Sequence, residues 1–298
     1  MKKYLVLLFI SIIILLPFTK IDHIEGENII FYEELKKEVQ KVNASSVIVG
    51  FYNYEAHKTT YYVINSDIDK QYCIASVTKT FTATIILQLY EEQQLDLETP
   101  VNYIIPVNLS DNITIRHLLS HTGKTNGQRY WYDNDHYILL AKIIEKITEL
   151  SYETNVYERV INPLNMNNTH AKYANGTGGI YSTYKDFVIY SRALIEEDLL
   201  KDHSLYYETS KELSTNQSWY RGLGWDITKK NNKMIHYFKG GRWGNAASGI
   251  QIYPEEKMAI IFLMNAPNVV RPEFMHWMRH FLFFLDKHFI ASSNINSK

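Results

Sequence analysis

The sequence predicts an α+β fold, one antiparallel sheet flanked by helices with an all-helical lobe inserted between its strands. Three observations lead there. β-Branched and aromatic runs lie towards both ends of the chain, at 46–51 and 59–64 and again at 234–238, 247–253 and 258–264. The stretch between, from about Leu95 to Leu200, has helical period broken by short turns. Strands drawn from distant segments bury their apolar faces most simply in a single sheet, so the expected partition is a sheet lobe over 27–94 and 205–298 and a helical lobe over 95–204.

The elements follow in order. From Phe31 to Val42 apolar positions recur at helical spacing, and the runs 46–51 and 59–64 then read as a hairpin. Phe81, Ile85, Ile86, Leu89 and Tyr90 form an apolar stripe on one side of a helix over 77–92, which stops at Glu91-Glu92-Gln93-Gln94. Further helices are expected at 113–119, 135–148, 152–161 and 185–197. Pro254-Glu255-Glu256-Lys257 is the turn between the last two strands, and an amphipathic helix over 272–289 closes the chain. At 298 residues, 46% hydrophobic and 21% charged, the chain can bury a sizeable core without staples.

Lys+Arg 31 against Asp+Glu 32 leaves a net charge of -1, which provides no basic field for nucleic acid, so small molecules or peptides are the expected partners. Met1-Lys2-Lys3 followed by an apolar run from Tyr4 to Phe18 reads as a signal peptide or membrane anchor over 1–20. The run is slightly shorter than the roughly 18–20 residues of a spanning helix, and no small-x-small cleavage site follows it. The expected location is therefore secreted or extracytoplasmic, with the segment either removed or kept as an anchor. A single cysteine, Cys73, excludes an internal disulfide.

Ser76-Val77-Thr78-Lys79 opens the apolar helix. Residues three apart are helix neighbours, so the Lys79 amine reaches the Ser76 oxygen; burial and the positive helix end both disfavour an ammonium, which suits Lys79 to take the serine proton. Tyr132-Asp133-Asn134 lies just ahead of the next helix, where a tyrosine can relay a proton to a leaving group and an asparagine can bond both the lysine and a substrate amide. Asn134 or Asp135 is the expected cap of that helix. Phe238-Lys239-Gly240-Gly241 near the end is the candidate oxyanion strand. Two decoys test these assignments. Ser182-Thr183-Tyr184-Lys185 repeats the first spacing and Tyr173-Ala174-Asn175 the second, but Ser182 sits where a helix cap is needed.

Around these motifs stand Leu95-Asp96-Leu97 with Pro100-Val101, the stretch from Thr114 through Arg116-His117-Leu118-Leu119-Ser120-His121-Thr122-Gly123, Asn162-Pro163-Leu164, Gly178-Gly179-Ile180-Tyr181 and Gly222-Leu223-Gly224-Trp225. In that order, from about Ser46 to Ala266, they resemble the serine β-lactamase-like family of class C β-lactamases, low-molecular-weight penicillin-binding proteins, D-alanyl-D-alanine carboxypeptidases and related esterases. The resemblance implies Ser76 as acylated nucleophile, Lys79 and Tyr132 as acid/base pair and Asn134 as substrate contact. It also implies a β-lactamase/transpeptidase-like domain over 27–298 with its site between the lobes.

The third motif departs from the family pattern of Lys or His, a small residue, then Gly. Aligned on Gly240, Phe238 takes the place of the cation and the N–H of Gly241 joins that of Ser76 in an oxyanion hole. Shifted by one, Lys239 is the cation and Arg242 replaces Gly241; strand alternation keeps Phe238 and Lys239 from facing the cleft together without a bulge. Lys239, Gly240 and Gly241 are favoured as the substrate and oxyanion residues. His117 and His121 stand four apart, but no Glu follows His117, and neither a metal nor another cofactor is expected. Trp131, Trp219, Trp225 and Trp243 are cleft-rim or core residues. The expectation is an exported serine hydrolase that acylates Ser76, with cell-envelope peptides such as the peptidoglycan stem, β-lactams or esters as substrates. The alternative is a non-catalytic binding protein with an altered third motif.

Overall fold

In the computed structural model of the chain, residues 22–196, 198–208, 211–212, 219–230, 233–267 and 277–288 are described. The expected N-terminal segment over 1–20 lies outside them, and among the described residues no helix is long and apolar enough to cross a membrane.

The hairpin of β2 (Ser46–Asn53) and β3 (Lys58–Ile64) is joined through β2 to β11 (Met258–Asn265) in the register Ile48↔Leu263. This pairing joins the two ends of the chain. The full order is β1-β3-β2-β11-β10-β9-β8-β7-β6, where β1 is Asp22–Glu25, β6 Lys211–Glu212, β7 Trp219–Arg221, β8 Asp226–Lys230, β9 Lys233–Trp243 and β10 Ala246–Tyr253. Every neighbouring pair is antiparallel except β1 with β3, which runs parallel.

Alternation sorts the side chains into two layers. Val47 and Val49 join Phe31, Leu35 and Val39 of α1 (Ile29–Gln40) and Met278, Phe281 and Leu285 of the helix over 277–288. Ile48 and Tyr52 face the opposite way, onto the larger core built with the helical segments. Those segments are α2 (Thr78–Glu91), α3 (Ile115–Leu119), α4 (Asn134–Thr148), α5 (Tyr152–Val156) running into a π-helical turn Tyr157–Ile161, and α6 (Tyr184–Glu196).

α2 differs from its expected one-sided form. Every residue from Thr78 to Leu87 is buried, the mark of a helix enclosed on all sides. Three of its four threonines make that possible, because Thr80, Thr82 and Thr84 find partners for their hydroxyls, whereas the Thr78 hydroxyl is buried without one. Thr80 Oγ1 donates to the Val77 carbonyl at 2.8 Å and accepts from Tyr190 OH at 3.0 Å, while Thr82 pairs with Tyr152 OH at 2.7 Å and Thr84 with Tyr206 OH at 3.2 Å. Several of the 23 tyrosines thus serve to satisfy a buried, threonine-rich helix.

Two other differences bear on the site. β9 continues through Gly240 and Gly241 to Trp243, past the predicted end at Phe238. Thr183, not Ser182, accepts the N–H of Asp186 at the start of α6, while Ser182 lies in a two-stranded ladder of β4 (Tyr72–Cys73) and β5 (Tyr181–Ser182).

Candidate active site

Ser76 occupies a 3-10 turn, Ala75–Val77, that leads into α2. The turn is fastened on both sides at Ile74, whose N–H donates to the Ile180 carbonyl at 3.0 Å and whose carbonyl accepts from Ser248 Oγ of β10 at 2.6 Å. Ala75 has φ 47°, a left-handed conformation that costs an L-residue roughly 1–2 kcal/mol. Packing from both sides holds it there, and the serine is thereby presented to a pocket of about 180 Å³ lined by Asn134, Thr177, Gly178, Arg242 and Trp243.

Lys79 is fully buried one helical turn on, with its Nζ 3.3 Å from Ser76 Oγ, 2.9 Å from Asn134 Oδ1 and 3.0 Å from the Thr177 carbonyl. Three acceptors match the three donors of an ammonium. A neutral amine fits equally well, giving two N–H bonds to Asn134 and Thr177 and turning its lone pair to the serine hydroxyl. The geometry therefore suits both sides of a proton transfer. Tyr132 OH lies 3.0 Å from Ser76 Oγ on the other flank, so the serine oxygen sits between a phenol and an amine.

Tyr132 lies just before α4 and Asn134 is its first residue, and the cap is Asp133 rather than Asn134 or Asp135. Its carboxylate accepts the Asp135 N–H at 3.0 Å and pairs with Lys124 at 2.8 Å. Burial alone would raise the Asp133 pKa, but these partners outweigh it and hold the carboxyl below its usual range. Capping by Asp133 releases the Asn134 side chain to reach Lys79.

β9 closes the site from the sheet side. Phe238 belongs to the core beneath α1 and the helix over 277–288, so it faces away; Tyr237 belongs to the opposite core, and Lys239 and Gly241 follow it by alternation. Lys239 therefore stands on the Ser76 side and Phe238 does not, the second of the two registers. A Cβ on Gly241 would fall 2.5 Å from the Ile74 carbonyl and 2.7 Å from Ser76 N, so only glycine allows the strand this close. β8 pairs with β9 only as far as Asp226↔Phe238; beyond it, among the described residues, β9 pairs with β10 alone. That leaves a strand edge beside the serine.

Lys239 is buried, and burial with the neighbouring Arg221 guanidinium pushes its pKa down to about 7. Arg221 pairs with Asp226 and lies 3.9 Å over the ring of Tyr130. Trp243 is an exposed residue lining the pocket, Trp131 is exposed, and Trp225 is core.

The decoys have other work. Ser182 Oγ pairs with Thr169 Oγ1 at 2.8 Å and Lys185 with Asp69 at 2.8 Å. Asn175 Oδ1 accepts from Thr177 N at 3.1 Å and from its hydroxyl at 2.9 Å, shaping the loop that carries the Thr177 carbonyl to Lys79. His117 and His121 each use Nδ1 to accept a backbone N–H, from Thr114 and Asp133 respectively. Sequence reasoning missed Thr177, whose contribution is a carbonyl that any residue type supplies, and Arg221, which reaches Lys239 only through the sheet.

A beta-lactamase family model matches residues 51–283. Among curated proteins, the chain is 23% identical to a penicillin-binding protein of Bacillus subtilis (strain 168), with 64% of this chain and 60% of that protein covered. It is 24% identical to protein flp of Staphylococcus aureus (strain N315), covering 67% and 55%. The chain thus spans three fifths or less of the length of these relatives. The solved beta-lactamase/D-alanine carboxypeptidase from Pseudomonas syringae superposes with a TM-score of 0.72 at 14% identity, over 85% of this chain and 97% of that one. A D-stereospecific amidohydrolase from Streptomyces sp. gives 0.70 at 20% identity, over 78% and 94%. With the fold shared and the family model matched over most of its length, the chain belongs to the beta-lactamase family.

Proposed function

We propose that the chain is an exported serine hydrolase that forms an acyl-enzyme on Ser76, acting on cell-envelope peptides, β-lactams or esters. The observation that carries this reading is Ser76 Oγ held between Tyr132 OH at 3.0 Å and Lys79 Nζ at 3.3 Å beside an open strand edge. The names of the relatives, penicillin-binding protein and D-alanine carboxypeptidase among them, point to the same substrate classes.

The acyl donor's carbonyl carbon enters between Ser76 Oγ and β9. As the Oγ–C bond forms, the serine proton passes to the neutral Lys79 amine and the carbonyl oxygen takes the negative charge. The N–H groups of Ser76 and Arg242 hold that oxyanion. Collapse breaks the bond to the leaving group, which takes a proton from Tyr132, and the Lys79 ammonium passes the serine proton on to the resulting phenolate. Water then repeats the sequence in reverse on the acyl-enzyme. Asn134 keeps Lys79 in place and offers its amide N–H to the substrate. Lys239 is the cation for a substrate carboxylate in this reading, and its place on the Ser76 side favours it over the non-catalytic alternative with an altered third motif.

The reading is tested by measuring turnover of a neutral activated ester, a penicillin and a D-Ala-D-Ala peptide by the full-length chain. Hydrolysis of at least one, lost in Ser76→Ala, is expected; no turnover and no acylation with any of them would contradict it.

Two further results are expected. Lys239 is protonated below about pH 7 and neutral above it, and only the charged form attracts a carboxylate. KM for a carboxylate-bearing donor should therefore rise up to about tenfold per pH unit above that point, while KM for a neutral ester stays flat. Lys239→Met should abolish the difference between the two substrates. Gly241→Ala forces β9 away from Ser76 N, and a displacement approaching 1 Å should cost about 10²-fold in kcat/KM. Steady-state kinetics beside circular dichroism checks that the fold survives.

A further inference from the structure

His121 touches the chain on both sides of Tyr132. Its carbonyl accepts the N–H of Trp131 at 2.7 Å, and its Nδ1 accepts the N–H of Asp133 at 3.2 Å. Its ring lies 4.7 Å from the Tyr132 ring, tilted by 32°. One residue thus binds the peptide units before and after the phenol and packs against the phenol itself.

This arrangement has two costs. His121 has φ 56°, in the left-handed region where non-glycine residues are uncommon. The backbone N–H of Asp133 can only donate, so Nδ1 is unprotonated and a neutral ring carries its proton on Nε2, which is buried without a hydrogen-bond partner. A solvent-facing glycine or asparagine turn would avoid both. We propose that His121 is the positioning residue for Tyr132, a two-point clamp that keeps the phenol on Ser76 Oγ; this rests on the serine-hydrolase reading above.

The ring's surroundings favour the state the clamp needs. Burial, then the charges of Lys239, Lys79, His136 and Arg221, hold the imidazole well below the usual histidine range, so Nδ1 stays an acceptor. Tyr130, Tyr132, Tyr137 and His136 are the rings packed around it. Asp133, whose N–H is the clamped group, has its carboxylate paired with Lys124.

The test is a mutant cycle on the full-length chain, read as hydrolysis of a neutral p-nitrophenyl ester. His121→Gly tolerates the left-handed backbone and removes only the ring; kcat should fall about 10²-fold with KM little changed, the effect of a misplaced acid/base group. His121→Asn, whose Oδ1 takes the place of Nδ1 and whose backbone accepts positive φ, should retain activity within about tenfold. The double variant His121→Gly/Tyr132→Phe should be no slower than Tyr132→Phe alone, because the clamp acts only through the phenol. Losses that multiply in the double variant, or an unimpaired His121→Gly, would overturn the assignment. If His121→Gly does not fold, His121→Gln, whose acceptor lies one bond further out, takes its place in the cycle. Ser76→Ala in parallel separates the two claims: turnover surviving there defeats the serine-hydrolase reading, whereas turnover lost there with a multiplicative cycle defeats the clamp alone.

Discussion

Ser76→Ala is expected to lower kcat by about 10⁴-fold or more while leaving the fold intact, because the serine oxygen is the atom that becomes acylated and nothing beside it can take its place. Of its neighbours, Tyr132 OH is a phenol held for proton transfer and Lys79 Nζ is buried with its donors spent on Asn134 and the Thr177 carbonyl. The structural cost is small. The hydroxyl's partners are side chains at 3.0 and 3.3 Å, and removing it should change stability by about 1 kcal/mol. The thermal unfolding midpoint therefore stays near that of the parent while turnover disappears.

Lys79→Met has the second largest expected effect. Methionine fills the same unbranched volume but neither takes nor gives a proton, so acylation should slow by about 10²–10⁴-fold. The loss should appear in the acylation rate and in kcat, with KM little altered, because in this scheme Lys79 meets the serine proton rather than the substrate. Stopped-flow acylation by a chromogenic ester reads it directly. The fold also responds, since Asn134 Oδ1 and the Thr177 carbonyl each lose a donor at about 1–3 kcal/mol per unsatisfied group. Part of that is offset because a fully buried amine no longer has to be desolvated. A variant that acylated at the parent rate would remove Lys79 from the proton path.

Much of this arrangement was legible in the residues. The i, i+3 spacing of Ser76 and Lys79 brings serine and amine together in any helix. The position of Tyr132 and Asn134 at the start of α4 supplies two polar groups at a cleft edge, and strand runs at both ends of the chain imply the shared sheet. What escaped notice did so for identifiable reasons. β1, β4, β5, β6 and β7 are two to four residues long, too short for a period-2 pattern to emerge. β9 runs on through Gly240 and Gly241, residues that normally weaken a strand but here admit the close approach to Ser76.

The choice between Phe238 and Lys239 turned on parity, since adjacent strand residues face opposite ways and only the packing of Phe238 beneath α1 reveals which way. α2 showed an apolar stripe, yet it is enclosed on all sides, and distant tyrosines pair with Thr80, Thr82 and Thr84. The role of Thr177 is carried by a main-chain carbonyl, and that of His121 by two hydrogen bonds that form only once the segment 121–133 has closed on itself.

The central claim is that Ser76 is the nucleophile of an acyl-enzyme, and intact-mass measurement of the full-length chain after incubation with a penicillin and with an activated neutral ester tests it most directly. The predicted result is a mass increase equal to the acyl group on the parent with at least one donor, mapping to the peptide that contains Ser76, and no increase on Ser76→Ala. An adduct that persists in Ser76→Ala, or a parent chain left unmodified by both donors while properly folded, would contradict it.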